Sequence, residues 1–203
     1  MQFNRNPAVP KLARYDQYRP YLRTDFRRHC AYCTGHEDEW GGEDHFEIDH
    51  HRPKSKNPEL EHEYSNLYYC CRGCNKKGAK GEHWPSDALL AAGFRFFDPV
   101  AENADGLHFA ETADGTLRQL NNVGVYSIEN LRLNREALVK LRLNRKRMAA
   151  LLSKELKALE VKLLRMQKKG KTPSPELSTR LESLRRTLQN APVLAMLPGW
   201  WHD

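Results

Sequence analysis

Between residues 30 and 77 the chain gathers side chains suited to holding metal ions and to hydrolysing a phosphodiester. Cys30-x-x-Cys33 and Cys71-x-x-Cys74 form two CxxC pairs. They bracket Asp49-His50-His51 and Asn66, and Asn75 follows the second pair directly. Four thiolates at this spacing match a four-cysteine zinc site, a closed tetrahedron with no open position, so this metal is expected to be structural. A fifth cysteine, Cys70, also lies within reach of Cys74, but the spacing of Cys71 mirrors the first pair. Cys70 then reads as a small buried hydrophobe. His29 and His36 are spare ligands that four thiolates make unnecessary.

Phosphodiester hydrolysis needs an activated water, a cation on the phosphate and a proton for the leaving oxygen. A histidine near its own pKa suits the base. A carboxylate next to it in sequence points elsewhere and can hold Mg2+, a hard, oxygen-seeking ion. Asn66 can fix a backbone or imidazole orientation by hydrogen bonding. Asn75 can offer a neutral carbonyl oxygen, and the start of a helix there favours a phosphate.

These residues need short, rigid elements to place them. Residues 17 to 29 read as a helix with Pro20 in its first turn and Tyr18, Leu22 and Phe26 on one face. His45 to Asp49 and Leu67 to Cys70 read as two short strands, followed by the second cysteine knuckle and a helix. The expected fold class is α+β: a ββα unit stapled by zinc, because so small a unit has too little core to hold itself. Asp114-Gly115, between Leu107–Thr112 and Thr116–Leu120, signals a β-hairpin. Ser127 reads as the cap of a short helix over Ile128 to Leu133, and Asn134 as the cap of a longer one. Leu138, Leu141, Met148, Leu152, Leu156, Leu159, Leu163 and Met166 then mark a long amphipathic helix. Gly170 to Pro175 breaks it, and Leu177, Leu181, Leu184 and Leu188 mark a second helix, the two expected to pair as an antiparallel hairpin or to form a coiled coil with a partner. Trp200-Trp201 reads as an anchor against the chain's own core. The expected organisation is a nuclease core over 1–84, then a connector and basic helical hairpin over 85–203.

CAYC, FEIDHHRPKS and YSNLYYCCRGCNKK together resemble the HNH endonuclease family, whose pattern runs CxxC, DH-x-x-P, Asn-Leu, CxxCN and Lys. The resemblance spans about 50 residues. It implies a ββα-metal nuclease fold with His50 as general base, Asp49 and Asn75 as ligands of a catalytic Mg2+ or Mn2+, and Asn66 as the orienting asparagine. Two positions depart from the pattern. His51 stands where the family is usually apolar, and its role is open between a second ligand, a phosphate contact and a buried histidine. Gly78 stands where a lysine is frequent, leaving Lys76, Lys77 or Lys80 for the phosphate, with Arg52 and Lys54 nearby. RFFDP and YSIENLRLNREALVKLR also resemble bacterial HNH proteins of antiphage defence, including the nuclease partners of Septu-type and retron-associated ATPases. An ATPase or sensor subunit is the partner this implies.

The 203 residues are 39% hydrophobic and 29% charged. There is no apolar run of membrane-spanning length and no apolar secretory leader, so a reducing, cytoplasmic setting is expected. Net charge is +7, unevenly spread. Residues 131–190 hold 17 Lys and Arg against 5 Glu, a balance of +12, and the remainder is at −5. Such a patch attracts phosphate backbones, so DNA is the expected substrate. The competing reading is a non-catalytic, zinc-stapled module that binds nucleic acid or docks an ATPase.

Overall fold

Tyr18, Leu22 and Phe26 recur at four-residue steps, and all three are buried in the computed structural model, which describes residues 3–76, 80 and 83–189. Tyr18 closes a 3-10 turn over Tyr15–Tyr18, Leu22 lies in the helix α1 (Arg19–Asp25), which has Pro20 at its start, and Phe26 caps that helix at its end. The helix stops before residue 29 because Arg27 and Arg28 take left-handed φ values of 50° and 62°. The two strands are β1 (Phe46–His50) and β2 (Leu67–Cys71). They pair antiparallel, with Ile48 opposite Tyr69 and Asp49 opposite Tyr68. All of β2 is buried. Phe26, at the end of α1, packs on Tyr68 at 5.5 Å between ring centroids, and Phe46 stacks on Tyr69 at 4.8 Å.

The one-turn helix α2 (Arg72–Asn75) spans the second cysteine knuckle rather than following it. Asn75 therefore ends a short helix, and the expected phosphate site at a helix start does not form there. A second one-turn helix, α3 (Asp87–Ala91), is capped by Ser86. The expected hairpin is present but short: β3 (Phe109–Glu111) pairs antiparallel with β4 (Leu117–Gln119). In its turn Gly115 takes φ 81° and Asp114 Oδ1 accepts from the Thr116 amide at 3.1 Å.

The next helix, α4 (Asn122–Asn130), begins earlier than the sequence suggests, because Asn121 caps it by accepting from the Gly124 amide at 3.0 Å. Ser127 lies buried within α4, where its hydroxyl accepts from the Phe97 amide at 3.0 Å. Asn134 serves the hairpin instead: it accepts from the Leu117 amide at 2.7 Å and donates to the Leu117 carbonyl at 2.9 Å. Then come the long helix α5 (Glu136–Lys168), a break at Gly170 with φ 66°, and α6 (Pro175–Gln189). Ion pairs Arg180–Glu155 and Arg185–Glu160 join these two helices.

The chain forms two compact units, Met1–Val139 and Lys140–Asp203. Trp200-Trp201 lies outside the described residues. Among the described residues no helix is long and apolar enough to cross a membrane.

Candidate active site and metal centre

Two tight knuckles present the four cysteines. In the first, the Cys30 amide donates to the Gly35 carbonyl at 2.8 Å and the Thr34 amide to the Cys30 carbonyl at 2.9 Å, with Thr34 at φ 55°. In the second, Cys71 precedes α2 in extended conformation and Cys74 lies inside it. The four Sγ atoms all lie within 4.8 Å of one another, buried, and those of Cys33 and Cys71 are 3.7 Å apart. A tetrahedron with Zn–S bonds of about 2.3 Å has edges of about 3.8 Å, so the sulfurs fit zinc. Burial pushes the Cys30 thiol up, whereas hydrogen bonds from Cys30, Cys33 and Cys74 hold Cys71 well below the usual range. Four buried thiolates need a compensating positive charge, which a dication supplies. Cys70 is buried outside the cluster, as expected for a small hydrophobe. His29 and His36 are also outside it and pack their rings together at 4.7 Å.

Strand β1 carries the other chemistry, and its twofold period sorts the residues. Glu47 and Asp49 share one face and His50 takes the other. The Asp49 carboxylate is held by two donors, both on Oδ2. The Tyr32 hydroxyl donates at 2.5 Å, and the Lys80 ammonium forms a short ion pair. Lys80 also donates to the His50 carbonyl at 2.7 Å and is itself buried. Of the lysines expected near a phosphate, Lys80 is thus committed to Asp49, Lys76 is exposed, and Lys77 lies outside the described residues. Asn75 reaches β1 through Glu47: its Nδ2 donates to Glu47 Oε2 at 3.0 Å. Arg72 pairs with Oε1 of the same carboxylate at 3.3 Å. This turns the carbonyl end of Asn75 away from Glu47. Asp49 and Asn75 each carry a side-chain oxygen, the hard donor class that Mg2+ and Mn2+ prefer.

His50 is half-buried, and its Nε2 lies 2.9 Å from the Glu61 carbonyl oxygen. A carbonyl only accepts, so Nε2 carries the proton and Nδ1 keeps its lone pair. Burial lowers the pKa of His50 from 6.5, which favours the neutral ring. The Tyr15 ring meets His50 edge-on at 4.9 Å. Asn66 does not touch His50. It accepts from the Arg52 amide at 2.8 Å and donates to the carbonyls of Arg52 at 3.0 Å and Leu60 at 3.3 Å. Asn66 thereby closes the loop whose next residue, Glu61, holds the imidazole. His51 packs edge-on against Tyr68 at 4.9 Å and Trp84 at 6.2 Å. Burial, with Lys80 adding, holds its pKa at about 4.

Sequence reasoning missed Tyr32, Glu47 and Arg135. Glu47 was readable from strand period, two residues before Asp49. Tyr32 sits inside the first CxxC with nothing local to mark it. Arg135 reaches the Cys74 sulfur at 3.5 Å from 61 positions away, which no local pattern signals.

No curated protein matches the chain. Residues 30–80, about a quarter of the chain, match the family model for HNH endonuclease, and the match points to nuclease chemistry on a nucleic acid.

Proposed function

We propose that this chain is a metal-dependent HNH endonuclease of the ββα-metal type that hydrolyses DNA phosphodiester bonds. His50 is the general base, Asp49 and Asn75 hold the catalytic Mg2+ or Mn2+, and Asn66 is the orienting residue. The four cysteines hold structural zinc. The observation that carries this reading is the Nε2–H of His50 against the Glu61 carbonyl at 2.9 Å, in a loop closed by Asn66. That bond fixes the tautomer and leaves Nδ1 to take a proton from the attacking water. A divalent cation, when bound, supplies positive charge to the phosphate and leaving oxygen. Tyr32 and Lys80, both bonded to Oδ2, orient the Asp49 carboxylate, and Glu47 selects which end of the Asn75 amide is free. The resemblance of the C-terminal region to defence nucleases supports a role in antiphage defence or restriction beside an ATPase or sensor subunit.

The test is plasmid cleavage with Mg2+ or Mn2+. His50→Ala should lower the rate about 100-fold to 10,000-fold, the usual cost of losing a general base, with zinc content and melting temperature unchanged. His51→Ala should keep more activity than His50→Ala. Full activity in His50→Ala, or a dead His51→Ala beside an active His50→Ala, overturns the assignment of the base.

A further inference from the structure

A zinc ion with four thiolates carries a net charge of −2, and here the four sulfurs are buried. Burying charge without a partner is costly. Arg135, which immediately precedes α5, places its guanidinium against this cluster. Nη2 lies 3.5 Å from Cys74 Sγ and 3.7 Å from Cys71 Sγ, and Nη1 lies 3.6 Å from Cys74 Sγ. Nη1 also donates to the carbonyls of Leu131 and Arg132, both at 3.3 Å, so the fork is held from behind by the turn leading into α5. That turn depends on Arg132 at φ 51°. Trp40 covers the guanidinium with its ring centroid at 5.9 Å. Gly73, between the two cysteines of the second pair, leaves room for it: a Cβ there would stand 3.0 Å from Nη2.

We propose that Arg135 is a positioning residue of the metal centre, a guanidinium that hydrogen-bonds the Cys71 and Cys74 thiolates, offsets the charge of the zinc–thiolate cluster and protects those sulfurs from electrophiles. The chemistry requires a fork of donors rather than a point charge. Two sulfurs must be reached from one side chain, which Arg does and Lys does only in part. Electron density drawn toward N–H donors is less available for attack on a thiol reagent, so the zinc is retained longer. The inference rests on the zinc reading of the four cysteines and is independent of the assignment of His50.

The experiment uses the full-length zinc protein, a maleimide as thiol reagent and a chromogenic chelator that reports released zinc. Losing hydrogen bonds to charged groups should speed maleimide-driven zinc release about ten- to hundred-fold in Arg135→Ala, with Arg135→Lys in between. The second readout is the cobalt-substituted protein. Its sulfur-to-cobalt charge-transfer band should move to lower energy in Arg135→Ala and less in Arg135→Lys, because unshielded sulfur lone pairs are easier to ionise. Arg135→Gln, neutral but still a donor, replaces the alanine variant if that one does not fold. Wild-type release rates and an unmoved cobalt band overturn the proposal. So does a variant that merely melts earlier with its cobalt band in place, since that outcome describes a packing role. Native protein without zinc defeats the zinc reading itself, and the proposal falls with it.

Discussion

Glu37 shows how strongly a single side chain is specified in this small unit. Its carboxylate is 1% exposed and accepts from four donors. Arg23 Nε reaches Oε2 at 2.9 Å, and a second nitrogen of Arg23 pairs with Oε1. Arg28 reaches Oε1 at 2.5 Å and the Tyr69 hydroxyl reaches Oε2 at 2.9 Å. Burial alone would raise its pKa, but the hydrogen bonds from Arg23, Arg28 and Tyr69 outweigh burial and hold it at about 2, below the usual 4.5. A depressed carboxylate pKa adds stability that is fully present above 4.5 and is lost as pH falls through 2. Glu37→Gln should therefore cost about 2 kcal/mol at pH 7, below the range for a fully buried pair because both arginines are partly exposed. The gap between variant and wild type should close as pH falls from 4.5 toward 2. Urea denaturation at several pH values checks this, and acid release of zinc, common to both proteins, cancels in the difference. A gap that stays constant with pH would show that the network does not hold Glu37 ionised.

At the scale of elements, the candidate site was legible wherever chemistry followed local period. The CxxC spacings foretold a four-sulfur cluster, and Asp49-His50 ends a strand whose alternation sends the two side chains to opposite faces. The hairpin at Asp114-Gly115 and the break at Gly170 follow from glycine's access to positive φ. Elements failed to follow sequence where a side chain served a distant partner. Ser127 and Asn134 both have cap chemistry, yet one bonds the Phe97 amide and the other the Leu117 backbone, 30 and 17 positions away. Lys80 has the chemistry of a phosphate contact, but burial against Asp49 commits its ammonium elsewhere. The start of α4 has the same origin. It comes so close to the hairpin that a Cβ on Gly124 would stand 1.9 Å from the His108 carbonyl oxygen, a backbone atom that cannot swing aside. Although alanine is the better helix former by about 1 kcal/mol, Gly124→Ala should lower stability by about 1–3 kcal/mol through this overlap. Denaturant midpoints decide the sign, and a stabilised Gly124→Ala would mean that α4 and the hairpin separate freely.

Charge is organised at the scale of the whole chain. Residues 131–190 carry +12 and the remainder −5, so the segment that resembles a nuclease and the segment that carries the positive charge are largely different parts of the sequence. Side-chain burial refines which charges face solvent. Arg142 is buried and Arg145 half-buried, so neither is a free cation of the patch, whereas Lys154, Lys157, Lys162 and Arg165 are exposed along α5. Exposed cations act on a polyanion mainly by releasing its condensed counterions, an effect that adds from one phosphate to the next and weakens with salt. Changing these four residues together to Gln leaves helix propensity nearly unchanged and removes four positive charges. The slope of log affinity against log salt for a DNA duplex should fall by about 0.9 for each phosphate that is no longer neutralised. Binding should weaken similarly on every sequence, since cations on the phosphate backbone read no base information. Cleavage of DNA supplied well above its dissociation constant should be unaffected, because none of the four residues belongs to the His50 site. The measurement is fluorescence anisotropy at several salt concentrations in Ca2+, which binds oxygen ligands but is expected not to support cleavage. An unchanged slope would show that these helices do not hold DNA. If such a variant also lost association with a co-expressed ATPase or sensor subunit, the patch would be a protein-docking surface instead.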